Sequence, residues 1–246
     1  MTAVGIIPAR FDSTRFPGKV LTPIAGRPMI QHVWDGARTA KSLRTVLIAT
    51  DDERVAETCR GFGAEVALTS ADHPTGTDRL AEVSAGLDDP IVVNIQGDEP
   101  SIEGFVIDAA VAALEAAPAA PMATVVHRAE ADALADPNRV KVVIDRTGCA
   151  LYFSRAPIPH TRSGAEPTIW QHVGLYAYRR EFLAEYVLLS PTPLERAEGL
   201  EQLRALEHGH RIQTAVIENW VSRPVDVPAD VAEVEAALTA RAGSRH

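Results

Sequence analysis

Short apolar runs at Val4–Ile7, Thr45–Thr50, Ala64–Thr69 and Ile91–Gln96 constrain the fold more than any other feature of the chain. They are rich in β-branched residues and lack the polar alternation of a strand with one wet face. Each therefore reads as a strand buried on both faces of a parallel sheet. Helix patterns lie between them, at Met29–Ala40, Asp52–Phe62 and Asp78–Ala85, with Asp51 or Asp52 placed to cap the second and Thr77 the third. Ser101–Ala116 is a further helix pattern, closed by Pro118 and Pro121. Parallel neighbours need a crossover between them, so this alternation predicts an α/β sheet covered on both faces.

The second half has a different rhythm. MATVVH, VKVVID and ALYFSR follow one another across turns, and HVGLYAY comes after a polar loop. This spacing predicts antiparallel strands added to the parallel sheet. Helix patterns return at Arg180–Leu189 and Leu194–Glu207, RIQTAVIE reads as a strand, and a last helix covers Ala229–Ala242 after Pro228. There is no internal repeat, low-complexity run or linker, so residues 1–246 read as a single domain.

Hydrophobic residues make up 46% of the 246, enough for a sizeable core, and the net charge of −9 argues against general binding of nucleic acid or membrane surfaces. No apolar run is long enough to span a membrane, and none resembles a signal peptide. Cys59 and Cys149 are far apart and form no zinc motif. A cytoplasmic location is the expectation.

Positive charge is concentrated where it has a use. After the first strand, Pro8 and Ala9 lead into a loop carrying Arg10, Arg15 and Lys19 among Ser13, Thr14 and Gly18. A buried strand opening into a cationic loop with Gly and Ser suits polyphosphate, because backbone N–H groups and fixed cations meet the anion together. Neither a Walker A sequence nor GxGxxG is present, and HExxH and GxSxG are also absent.

A second constellation is NIQGDEP, Asn94–Pro100. Here Asp98 follows a buried strand at its carboxyl end, where open α/β sheets bind ligands. A carboxylate there suits Mg²⁺ or simply ends a turn, and Gln96 and Glu99 flank it. A third is ADHPTGTDRL, Ala71–Leu80, a polar loop feeding a helix start. Its His73 would contact a base or stabilise its own loop, while Arg79 is available to an anion.

In order along the chain, IIPAR, STRFPGK, ATDD, ADHPTGTDRLAEV, VNIQGDEP, NRVKVVID, ALYFSR, HVGLYAYRREFL and PLERAEGLEQLRALEHGHRI resemble the 3-deoxy-manno-octulosonate cytidylyltransferase (CMP-Kdo synthetase) family over nearly the whole length. The resemblance implies a nucleotide-diphospho-sugar transferase, Rossmann-like fold. Residues up to about 120 would bind nucleotide, and those from about 121 would bind the acceptor and form a homodimer. It implies CTP and Mg²⁺, with CMP joined to the anomeric hydroxyl of an acidic sugar for lipopolysaccharide biosynthesis. Arg10, Arg15 and Lys19 would hold the triphosphate. Pro8, Ala9, His73, Arg79 and Gln96 would line the nucleotide. Asp98 and Asp226 would be the catalytic metal ligands.

Without the resemblance, Asp226 reads first as a helix cap ahead of Pro228. The same family implies acceptor contacts from Arg155, His172, Tyr176, Glu201 and Gln202. His172 and Tyr176, four apart, point to the same face if their segment is a strand. Taken singly, these residues also suit an ion pair, a core His–Tyr pair and a solvated helix face. The segment SRPVDVPAD departs from the family pattern, with Pro224 and Arg223 ahead of the proposed ligand, Arg223 being an added cation that would suit a more highly charged acceptor such as a phosphonate. That keeps two alternatives open: a relative that cytidylylates another small acid such as phosphonoformate, and a nucleotide-binding protein without catalysis.

Overall fold

The computed structural model describes residues 3–12, 16–129, 131–162, 164 and 167–243. The chain divides into two compact units, 1–108 with 222–246, and 109–221. Residues from Ser222 onward thus belong with the N-terminal unit, although sequence order leaves them with the second half.

The first unit holds β1 (Ala3–Pro8), a small hairpin of β2 (Pro23–Ile24) and β3 (Arg27–Pro28), α1 (Met29–Ala37), β4 (Leu43–Thr50), α2 (Glu53–Gly61), β5 (Glu65–Leu68), α3 (Gly76–Ser84) and β6 (Ile91–Asn94). Its sheet is parallel, with β1 between β6 and β4, and β5 beside β4. Every residue of β6 is buried, and β1 is buried from Ala3 to Ile7. The expectation of full burial fails for β5, an edge strand that is half exposed and has one neighbour to cover it.

Helix starts follow side-chain capping. Asp52 caps α2 by accepting from the Arg54 amide at 2.9 Å. The cap of α3 is Thr75 rather than Thr77, because Thr75 and Asp78 form a reciprocal capping box. The helix expected from Ser101 starts instead at Gly104, as α4 (Gly104–Ala116), because the Ser101 hydroxyl is turned back to Glu99.

The second unit contains β7 (Met122–Arg128), β8 (Lys141–Ile144), β9 (Ala150–Ser154), β10 (Trp170–Arg179), α5 (Arg180–Tyr186), α6 (Pro193–Glu198), α7 (Gln202–Glu207) and β11 (Ile212–Ile217). β10 pairs antiparallel with β7 and β8, β8 pairs antiparallel with β9, and β11 runs parallel to β7. The α/β class, with a parallel sheet and an antiparallel addition in the second half, is therefore the one observed. The single helix expected over Leu194–Glu207 is two, because Gly199 ends α6 in the left-handed region with φ 62°. The chain closes with α8 (Asp230–Gly243) in the first unit.

Two glycines permit close backbone approach in the first unit. A Cβ on Gly36 of α1 would lie 2.2 Å from the Ile102 carbonyl oxygen, and one on Gly104 would lie 2.2 Å from the Ala40 nitrogen. Backbone atoms cannot rotate aside as a side chain can. Gly36→Ala should therefore destabilise the protein by about 3 kcal/mol, at the upper end of overpacking costs, read as a lowered urea midpoint with an unchanged slope.

Candidate active site

In the first unit the N-terminal loop leaves β1 at Pro8 and Ala9, and the Ala9 amide donates to the Ala49 carbonyl at 2.8 Å. Arg10 donates to the His73 carbonyl at 2.8 Å, which ties this loop to the one before α3. The His73 imidazole meets Glu82 at 2.5 Å, and that hydrogen bond holds the Glu82 carboxyl below its usual range. His73 is thus fixed within its loop, with its carbonyl directed to Arg10. Arg15 lies outside the described residues.

Lys19 begins a short 3₁₀ turn, Lys19–Leu21, after Gly18 in the left-handed region with φ 71°. Its ammonium lies 2.8 Å from Asp98 and 3.8 Å from Asp226. Asp98 sits in the turn after β6, and Asp226 comes from the far end of the chain. The Asp98 carbonyl accepts from the Val225 amide at 2.8 Å, which sets the two carboxylates beside one cation. Asp226 does not cap α8. Its amide and that of Val227 instead donate to the Asp230 carboxylate at 2.7 and 2.9 Å.

Two carboxylates around one cation are a hard-oxygen donor set of the kind that suits Mg²⁺ completed by phosphate oxygens. Among the described residues no group of three or more His, Cys, Asp or Glu could hold a metal by protein ligands alone.

Gln96 remains beside the turn, donating to Asn94 at 3.4 Å. Arg79 was expected on the cytidine side. Its side chain has no exposed surface, and its guanidinium donates to Asp51 at 2.9 Å and to the Thr69 hydroxyl. The geometry makes it an internal brace for the ends of β4 and β5. Arg223, read as an added cation for the acceptor, points to Glu233 on α8 at 3.8 Å.

The residues named for the acceptor lie in the second unit. His172 and Tyr176 share β10, where four residues of extended chain would span about 13 Å. A bulge between Val173 and Tyr176 shortens the strand, and the two rings come to 5.4 Å. His172 also packs edge-on against Phe153 and shares a hydrogen bond with the Thr124 hydroxyl at 3.0 Å. Desolvation pushes the His172 pKa down to about 3 and the Tyr176 phenol well above its ordinary value. Both are neutral hydrogen-bonding groups near pH 7.

Arg155 is tied to backbone. Its Nε donates to the Glu198 carbonyl at 2.8 Å and its Nη1 to that of Pro137 at 3.0 Å. Glu198 in turn accepts from the Arg155 amide at 2.9 Å and the Ser154 hydroxyl at 2.6 Å. Lys141 is fully buried and donates to the carbonyls of Asp136 and Arg155, each at 2.7 Å, and burial lowers its pKa. Glu201 stands at the start of α7, its carbonyl accepting from Tyr186 at 2.6 Å. Gln202 is buried, and its side-chain amide nitrogen has no partner among the described residues.

Three supporting residues carry no role in the sequence pattern. Glu99 is buried beside Asp98, Glu198 orders the Arg155 turn, and Glu195 grips Arg204 on α7 at 2.5 and 2.9 Å. For Glu99 the signal was present in the GDEP turn itself. For the other two, acids on an apparent surface helix gave none.

The pattern of the family described as Cytidylyltransferase matches residues 4–212. A 3-deoxy-manno-octulosonate cytidylyltransferase of Syntrophotalea carbinolica is 50% identical over 97% of this chain and 99% of its own length. One of the same description from Solibacter usitatus is 52% identical over 94% of this chain and 92% of its own. A solved structure of CMP:2-keto-3-deoxy-manno-octonic acid synthetase complexed with CTP superposes with a TM-score of 0.93 at 41% identity, covering 98% of this chain and all of that one. A Leptospira borgpetersenii cytidylyltransferase, at 16% identity and TM-score 0.66 over 97% of this chain and 87% of its own, shares the fold.

The shielded imidazole of His172 links stability to pH. Its folded pKa of about 3 lies below the ordinary 6.5, so between these values the unfolded chain binds a proton that the folded chain does not. This group's effect on folding is nil above pH 6.5 and becomes increasingly unfavourable as pH falls toward 3, by up to ~1.4 kcal/mol per pH unit. Urea unfolding across that window should show a shallower fall in stability for His172→Gln than for the parent.

Proposed function

The chain belongs to the cytidylyltransferase family, and we propose that it transfers CMP from CTP to the anomeric hydroxyl of 3-deoxy-manno-octulosonate, releasing pyrophosphate. The observation that carries this reading is the placement of Asp98 and Asp226 around the Lys19 ammonium, at 2.8 and 3.8 Å, beside a loop bearing Arg10. Such an array meets a metal-bound triphosphate, not a neutral ligand.

In the proposed reaction the sugar hydroxyl oxygen forms a bond to the α-phosphorus as the bond from phosphorus to the bridging oxygen breaks. The electron pair leaves with pyrophosphate and the hydroxyl proton is released. Arg10 and Lys19 neutralise charge on the α-phosphate and leaving group, where electrostatic stabilisation lowers the barrier most. Asp98 and Asp226 would hold Mg²⁺. Bound there, the ion would neutralise phosphate charge and make the hydroxyl easier to ionise. His73 shapes the nucleotide loop through its carbonyl bond to Arg10.

The acceptor is assigned to the second unit. Neutral His172 and Tyr176 offer hydrogen bonds to sugar hydroxyls. The buried Gln202 amide, with no partner among the described residues, is a donor that a ligand would satisfy. The Arg155 guanidinium has N–H groups beyond those given to carbonyls, which suit the acid's carboxylate. Arg223 lends no support to a phosphonate acceptor, since its side chain faces Glu233.

With CTP and Mg²⁺, Kdo should support pyrophosphate release and phosphonoformate should not. The opposite pattern would replace the acceptor, and no release with any acid would overturn catalysis. Asp98→Asn and Asp226→Asn should each lower kcat about a hundredfold or more, the loss of several kcal/mol of charge stabilisation, with Tm nearly unchanged.

The reading extends to a cytoplasmic homodimer. In the second unit Leu151 on β9 is 61% exposed and Val216 on β11 is 45% exposed, apolar surface that a second copy would cover. Among the described residues no helix is long and apolar enough to cross a membrane. Sedimentation equilibrium should give twice the 26.4 kDa chain mass, and Leu151→Asp should shift it toward the monomer.

A further inference from the structure

Residues 222–226 carry Asp226 but belong to no helix or sheet, so their position must come from other contacts. Each backbone N–H buried there needs a partner. The Arg223 amide donates to Glu99 Oε1 at 2.9 Å, the Val225 amide to the Asp98 carbonyl at 2.8 Å, and the Asp226 amide to Asp230 at 2.7 Å. Pro224, between the first two, has no N–H to satisfy. The Ser222 hydroxyl donates to Glu99 Oε2, and the Ser101 hydroxyl donates to Oε1 at 2.5 Å.

We infer that Glu99 is a positioning residue, whose buried carboxylate clamps Ser222 and Arg223 to the turn after β6 and so presents Asp226 beside Asp98 and Lys19. Glu99 is 6% exposed and cannot itself reach bulk solvent or a large ligand, so it acts through what it holds. A carboxylate is the fitting group because all three of its partners are donors and it offers only acceptors. The neighbouring anchor points the same way. Val225 is wholly buried in one apolar cluster with Ile24, Met29 and Val234, while the Asp226 side chain beside it stays partly exposed and lies 3.8 Å from Lys19. Asp226 is thus aimed by a carboxylate clamp on one side of Pro224 and an apolar anchor on the other.

The inference rests on the metal-site reading of Asp98 and Asp226, and its test separates the two. Glu99→Gln keeps the shape but turns an amide donor toward donors. Hydrogen exchange of the full chain without metal or nucleotide should be faster by about tenfold or more at residues 222–227, with the β1 and β4 peptides unchanged. Mn²⁺ affinity in the presence of a non-hydrolysable CTP analogue should fall about tenfold or more, and kcat should fall with little change in KM for the acid. Glu99→Asp should recover part of both.

Exchange at 222–227 like that of the parent would overturn the clamp. Faster exchange with unaltered Mn²⁺ affinity and kcat would overturn its role in aiming Asp226. Should Glu99→Gln fail to fold, Ser222→Ala removes one arm of the clamp and is expected to move exchange and Mn²⁺ affinity in the same directions. Parent-like Mn²⁺ affinity in Asp226→Asn would remove the metal reading alone, and the exchange measurement would still decide the clamp.

Discussion

Two carboxylates do not sit side by side without a cation to hold them, and here that cation is Lys19. Its ammonium lies 2.8 Å from Asp98 and 3.8 Å from Asp226. Coulomb attraction at such separations is strong wherever water is partly excluded, and the Lys19 side chain is only 12% exposed. The N-terminal loop, the turn after β6 and the segment before α8 therefore share one electrostatic centre. A triphosphate brought there meets cations and a hard-oxygen donor set already assembled, which is the condition for catalysis by preorganised charge.

Elsewhere buried charges are spent on neighbouring groups of the protein. Arg79 spends its guanidinium on Asp51 and Thr69, tying the ends of β4 and β5. Glu99 takes three donors and holds the segment that leads to Asp226. The second unit is organised in the same way. Lys141 and Glu198 satisfy the backbone around Arg155, and Glu195 secures Arg204 on the helix that carries Gln202. These buried charges meet hydrogen-bonding partners or an opposite charge, which offsets part of the cost of taking them out of water.

Much of this was legible along the chain. The β-branched runs mark β1, β4 and β6. Asp52 marks a helix start because a short acidic side chain can reach the free amides of the first turn. The cationic loop and the GDEP turn stand out because both follow buried strands, and the structure brings Lys19 of one to Asp98 of the other. Partners farther along the chain are not legible in this way: Arg79 and Arg223 read as ligand cations, whereas the structure sets them beside Asp51 and Glu233. The cap of α3 differs from the expected Thr77 for a local reason, the reciprocal box that Thr75 forms with Asp78. The His172–Tyr176 pair was expected on one face, but its 5.4 Å ring contact needs a bulge that alternation cannot reveal.

Local pattern alone determined the α/β class, the places of the cationic loop and the acidic turn, and, through its ordered motifs, the family. These are properties of contiguous residues, set by backbone propensity, side-chain period and the chemistry of short loops. Only the tertiary structure decided that Asp226 faces Lys19 instead of capping a helix, that Glu99 supports and Arg79 braces, and that a neutral His172 is held against Tyr176. Those outcomes depend on which buried donor meets which acceptor across long stretches of chain, and burial sets the energetic cost of leaving either unpaired.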